Sequence, residues 1–183
     1  MNTETDRRNK LKGQMTLESQ ANKLQKIRGF VCVGLFEPKN PTNTGCVLRA
    51  AGCFGVDLVG VQGQRYKNCC ADTQKAWKHI PLIETENLAL LMPKGCVGVA
   101  VDIVENAMPL PRYVHPERAF YVFGGEDRTL DERVFSWCRD KVYIPSLFCL
   151  NLAAAVNVVL YDRQTKIRGA SQSTSGKAPT ASE

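Results

Sequence analysis

Four stretches of this chain are apolar almost from end to end: GFVCVGLFE (residues 29–37), VDLVGV (56–61), CVGVAVDI (96–103) and AFYVFGG (119–125). A strand with one wet face alternates apolar and polar residues, whereas a strand covered on both faces does not, so these runs read as buried strands of a parallel sheet. Shorter strands are expected at PLIE (81–84) and KVYIP (141–145). Helical segments fall between them. One spans about Thr44 to Phe54 and stops at Gly55, one lies around Asp72 to Lys78, and one begins after Thr85. Thr129 and Glu132 form a T-x-x-E capping box opening a helix through Trp137, and NLAAAVNVVLYDRQTKI (151–167) is the last long helix. Strands alternating with helices in this way require an α/β fold, a mainly parallel sheet with helices on both faces.

At 183 residues the chain is expected to form one domain over residues 29–168, with a basic N-terminal extension over 1–28 and a disordered Ser/Thr/Gly/Ala-rich tail over 169–183. Within the extension, Leu17, Ala21, Leu24 and Ile27 have helical spacing. No run approaches the roughly 20 apolar residues of a membrane span. The first residues, MNTETDRRNKLKG, hold no apolar core after their basic residues, so a cytoplasmic protein is expected. The net charge of +6 is concentrated at the ends: residues 1–30 carry seven basic and three acidic side chains, and residues 163–183 four and one. Basic ends on a near-neutral centre suit either attraction to a polyanion, nucleic acid before membrane, or simple solubilisation. The eight cysteines contain no C-x-x-C pair and the two histidines are remote in sequence, so the cysteines read as reduced, buried apolar residues, with no metal expected. Adjacent Cys69 and Cys70 are a weak redox candidate.

Three segments could carry chemistry. In NTGCVLRAAGCFG (43–55), Arg49 is the only charged residue between Lys39 and Asp57. A guanidinium on so apolar a helix either reaches water along its stem or pairs with an anion, because burying it alone costs several kcal/mol. Asn43 and Gly45 precede it at the strand-to-helix junction, where free N–H groups point at anions and where Asn also serves as an ordinary cap. FGGEDRTL (123–130) ends a buried strand with two glycines and an acid; it is either a cofactor loop beyond a strand end or a tight turn before a capped helix. In IPSLFCLNLAAAVNVVLYD (144–162), Asn151 is either a helix cap or a ligand-binding amide, and Asn157 reads as a satisfied core amide.

Taken in order, N-x-G-x-x-x-R after the first strand, F-G-x-E after a later one and I-P before an L-N-x-x-x-A helix resemble the three motifs of the SpoU/TrmH-type SPOUT RNA methyltransferases. The resemblance covers roughly residues 30–162. It implies that the domain ends in a C-terminal trefoil knot, an exception to the rule that chains do not knot. It also implies bound S-adenosylmethionine, a homodimer, and methylation of a ribose 2′-hydroxyl in tRNA or rRNA. Arg49 then resembles the catalytic arginine and Asn43 its polar companion, with Asn43, Arg49 and Glu126 contacting substrate. Val101, Gly124, Ile144, Cys149, Leu150 and Asn151 fall where family members line the cofactor pocket. The chain departs from the pattern at Thr129, Cys149 and Ala153, and only five positions separate Ile144 from Cys149, which leaves as an alternative a catalytically impaired, knotted RNA-binding protein of the same fold. A thiol enzyme using Cys149 would need a histidine beside it in space.

Overall fold

The computed structural model describes residues 29–63 and 78–173. The expected helix near residues 16–27, all but the last residue of the one around Asp72 to Lys78, the pair Cys69 and Cys70, and the tail beyond residue 173 lie outside the described residues.

Each apolar run forms a strand close to its expected bounds: β1 Phe30–Phe36, β2 Leu58–Gln62, β3 Leu82–Thr85, β4 Val97–Val101, β6 Arg118–Gly124 and β7 Asp140–Tyr143. A further two-residue strand, β5 Met108–Pro109, lies within the Pro-rich connection that reads as loop in the sequence. All seven join one sheet in the order β3-β2-β1-β6-β4-β7-β5, and every pairing is parallel.

The side-chain alternation of the strands divides the core in two. Val31, Val33 and Leu35 of β1, with Ala119, Tyr121 and Phe123 of β6, face the two long helices, α1 (Pro41–Phe54) and α3 (Leu152–Ser173). Cys32, Phe36, Phe120 and Val122 point to the other face, covered by a 3-10 turn at Leu88–Leu91 and by the short helix α2 (Glu132–Phe135). Because both faces are occupied, the central strands carry no polar alternation.

Local signals account for most helix limits. Gly55 ends α1 in the left-handed conformation, φ 68°, which glycine adopts without steric cost. Helix α2 is capped by Asp131, whose carboxylate accepts from Val134 N at 3.2 Å, rather than by Thr129, and it stops at Phe135 rather than Trp137. Helix α3 runs across Gly169 to Ser173, past the limit its sequence pattern suggests.

A buried polar cluster ties the middle of α3 to the segment before β6. Arg163, 5% exposed, donates to the carbonyls of Pro116 and Glu117 at 2.6 and 2.8 Å, and Lys166 donates to those of Leu110 and Tyr113. His115 sits between Asp162, 2.8 Å from Nε2, and the Tyr121 hydroxyl, 2.6 Å from Nδ1. A carboxylate only accepts, so Nε2 carries the proton and Nδ1 accepts from tyrosine. Burial pushes the His115 pKa down, and it outweighs the opposing pull of Asp162.

The described cysteines are free, and only Cys32 and Cys138 are buried. Cys46, Cys53 and Cys149 are exposed, contrary to the expectation from their apolar surroundings in sequence: the first two lie on the outward face of α1, since a helix turns some residues outward whatever their neighbours are, and Cys149 lies in the loop before α3. Among the described residues no helix is long and apolar enough to cross a membrane, and no group of His, Cys, Asp and Glu is arranged to hold a metal ion.

Candidate functional site

Strand order locates the site before any side chain is considered. From β1 the chain builds outward through β2 and β3, then returns to the far side of β6 to form β4. The reversal leaves a crevice at the carboxyl ends of β1 and β6, the place where open parallel sheets bind ligands. Phe36 and Gly124 are in register there, and each is followed by one of the motif loops.

These loops are fastened by one carboxylate. Glu126 accepts from the backbone N–H of Lys39 at 2.9 Å, from that of Asn40 at 3.2 Å, and from the Asn43 side-chain amide at 2.5 Å. Burial would raise its pKa, but the hydrogen bonds from Asn43, Lys39 and Asn40 outweigh burial and hold it below the usual carboxylate range. Lys39 pairs with Asp127 at 3.2 Å and Arg128 with Glu37, so the two loops are pinned at three points.

Asn43 does not cap α1. Asn40 does, accepting from Thr42 N at 2.9 Å, because Pro41 takes the first helical position, where its missing N–H costs nothing. Asn43 is thereby moved into the first turn, 7% exposed, with its amide aimed at the crevice. Its Oδ1 accepts from Asn151 Nδ2 at 2.7 Å, while Asn151 Oδ1 caps α3 by accepting from Ala154 N at 3.1 Å. One chain of hydrogen bonds, Glu126 to Asn43 to Asn151, therefore joins segments far apart in sequence. Asn157 is not a core amide: it lies on the exposed face of α3 and donates to the Ala153 carbonyl at 2.8 Å.

Beside this chain opens a cavity of about 310 Å³ at the carboxyl ends of β4, β6 and β7. Val101, Gly124, Ile144, Cys149 and Leu150 line it, as does Glu126; Asn151 stands between the lining residues Leu150 and Leu152 but does not itself line it, and neither Asn43 nor Arg49 does. A Cβ on Gly124 would come within 2.7 Å of the Arg128 carbonyl, so the loop closes over the strand end only because that position is glycine. Sequence reasoning missed Asp102, Asp127 and Tyr143, which also line the cavity. Asp102 ends a buried strand with an acid, the one signal that could have drawn attention to it. Its carboxylate accepts from Ile103 N and Leu130 N, each at 2.7 Å.

Arg49 is exposed on α1, and its side chain makes no hydrogen bond or ion pair to another described residue. Cys46 and Cys53 share its exposed face, and the neighbouring α3 and the loop before it expose Leu147, Phe148, Val158 and Tyr161. Cys149 has no histidine within hydrogen-bond reach among the described contacts: His115 is committed to Tyr121 and Asp162.

The SpoU rRNA Methylase family profile matches residues 31–161. Among solved structures, the A. aeolicus TrmH/SpoU tRNA modifying enzyme is similar with a TM-score of 0.70 and 20% identity, over 92% of this chain and 91% of that one. The SpoU methyltransferase AviRb from Streptomyces viridochromogenes is similar with a TM-score of 0.69 and 19% identity, over 81% of this chain. This chain spans 64% of the length of AviRb. A protein described under "the 2-OH methylation of C/U34 on tRNA" is 25% identical with a TM-score of 0.66, over 77% of this chain and 98% of that one. No curated protein matches the chain.

Proposed function

The chain belongs to the SpoU rRNA Methylase family, and on that premise we propose that it methylates a ribose 2′-hydroxyl of tRNA or rRNA with S-adenosylmethionine as donor. The observation that carries this reading is the Glu126–Asn43–Asn151 chain, which joins all three motif segments at the rim of one cavity. The description of one similar protein in connection with 2-OH methylation on tRNA supports a ribose hydroxyl as acceptor. AviRb has also been solved with AdoMet, which supports the same donor here.

The residues present suit such a donor. Val101, Phe123, Ile144 and Leu150 offer an apolar wall for a flat heterocycle, and the carboxylates of Asp102, Glu126 and Asp127 suit a cationic group. The volume is at the lower end of small-molecule sites, which fits the short loop between Ile144 and Cys149. When bound, the cofactor supplies a methyl group on a sulfonium sulfur. The protein must hold the acceptor oxygen in line, about 3 Å from that carbon, and stabilise negative charge as the hydroxyl proton passes to solvent water.

Arg49 is the residue for that charge. A guanidinium does not give up its proton in proteins, so its role is to clamp a substrate phosphate and stabilise the oxyanion rather than to act as a base. Because Arg49 does not line the cavity of its own chain, we assign it to the cavity of a second copy. The exposed apolar residues Leu147, Phe148, Val158 and Tyr161 support a homodimer through α1 and α3. The C-terminal trefoil knot expected from the resemblance belongs to the same reading. So does the attraction of the basic ends to RNA, and with it a cytoplasmic location.

Calorimetry with S-adenosylmethionine, followed by mapping of ribose methylation in RNA incubated with the protein, tests the reading. Micromolar cofactor binding and a new 2′-O-methyl group are expected, with transfer lost in Arg49→Ala while cofactor binding is kept. RNA retention without cofactor binding would favour the impaired RNA-binding protein instead. Full transfer by Arg49→Ala would overturn the role given to the arginine.

A further inference from the structure

A second cavity, of about 450 Å³, lies on the sheet face covered by the Leu88–Leu91 turn and α2, and reaches the carboxyl edge of the sheet at Gln62. Its inner corner is Gln62 at the end of β2, which lies in register with Phe36, itself in register with Gly124 of the first cavity. Adjacent strands are about 4.8 Å apart, so the corner at Gln62 lies about 10 Å across the sheet from Gly124, within reach of a neighbouring nucleotide on an extended RNA strand. The segment after β6 walls both cavities, with Thr129 in the first and Arg133 and Trp137 in the second.

The lining groups are aimed by contacts already made. Gln62 Oε1 accepts from Leu88 N at 2.8 Å, which leaves its NH₂ as the free end. Asn87 Oδ1 accepts from Ala89 N at 3.0 Å, with the same consequence. Two amide donors are thus fixed toward the cavity. Glu86 is exposed and has no hydrogen bond or ion pair to another described residue, so it is available as an acceptor. Arg133 binds Asp131 through Nε and Nη2, which leaves Nη1 as a donor. Trp137 is half-buried, with its ring held against Phe120 at a centroid distance of 5.7 Å, so the indole is a fixed surface. A flat ring surface with fixed amide donors and a free carboxylate matches the edge of a nucleobase that carries both a carbonyl and an exocyclic amine.

We propose that this cavity binds a base flanking the methylated nucleotide, guanine in preference to uracil, with the amine on Glu86 and the carbonyl on the Gln62 and Asn87 amides. The proposal rests on RNA being the substrate. It adds a second contact that selects sequence beside the reacting ribose.

The two tryptophans are Trp77 and Trp137, so a Trp77→Phe background leaves Trp137 as the sole indole reporter. In that background, titration of the full-length protein with guanosine monophosphate is expected to quench the emission saturably, and uridine monophosphate to quench it more weakly. Glu86→Gln should weaken the guanosine response by at least about five-fold, and Arg133→Gln should also weaken it, because a good pair of base-edge contacts discriminates by that order. Absence of saturable quenching, equal responses to the two nucleotides, or an unchanged response in Glu86→Gln would each overturn the proposal. S-adenosylmethionine binding, measured on the same samples, should be unaltered by either substitution. Failure of the parent protein to bind the cofactor would count against the methyltransferase reading and would leave the quenching result to decide the base site alone.

Discussion

Replacing Asn43 with alanine removes one side chain and two hydrogen bonds, to Glu126 at 2.5 Å and from Asn151 at 2.7 Å. The first is assisted by charge and would contribute about 1.5–3 kcal/mol; Glu126 is exposed at its outer side, so the lower end applies. The second joins two neutral amides and contributes about 1 kcal/mol. The expected loss is therefore about 2–3 kcal/mol. Urea denaturation followed by circular dichroism would show it as a lower midpoint with an unchanged slope. A double-mutant cycle with Glu126→Gln isolates the shared bond, and an interaction energy of about 1 kcal/mol or more is expected because the two residues touch. Asn43→Ala within about 0.5 kcal/mol of the parent, or additive single mutants, would refute the idea that this chain of hydrogen bonds holds the three segments together.

Gly124→Ala should lower cofactor affinity more than stability, since the added carbon must displace the backbone carbonyl of Arg128, 2.7 Å away, from the cavity rim; calorimetry beside a melting curve separates the two effects. Substituting Phe148, 84% exposed, with aspartate should convert a dimer to monomers by sedimentation without lowering the stability of the monomer. Acidification should act in two steps. His115 has a lowered folded pKa, so the unfolded chain binds the extra proton first, and stability falls as pH drops below about 6.5, by at most about 1.4 kcal/mol per pH unit. Glu126 and Asp140 are also held low, Asp140 chiefly by Arg139, so their contributions persist above the ordinary carboxylate range and are lost only as pH falls below it. His115→Gln should remove the first step in a pH series of denaturation curves and leave the second.

The sheet was legible because its central strands are buried on both faces, and continuous runs such as AFYVFGG have few other uses. Helix limits were legible where one residue decides them, as Gly55 does. They were misplaced where two caps compete. Asn40 followed by Pro41 is the stronger start signal for α1, and Asp131 lies closer than Thr129 to the helix it caps. The motif residues could be picked out by their order, and five of the six residues expected around the cofactor do line the cavity. What joins them could not be read, since Asn43 meets Glu126 and Asn151 across 83 and 108 positions, and no local pattern encodes such a contact. The His115 and Arg163 cluster was hidden for the same reason, since Asp162, Arg163 and Lys166 fall in the polar second half of the last helix and look there like solvated charges.

The strand at one margin of the sheet, β5, contributes only two residues, and one of them is Pro109. Proline brings no amide hydrogen to offer an incoming backbone, and so short a border cannot template a further strand. At that border, growth by strand addition is blocked by the covalent chemistry of one residue. Whatever meets the molecule at that border must do so through side chains rather than through a shared ladder of backbone hydrogen bonds.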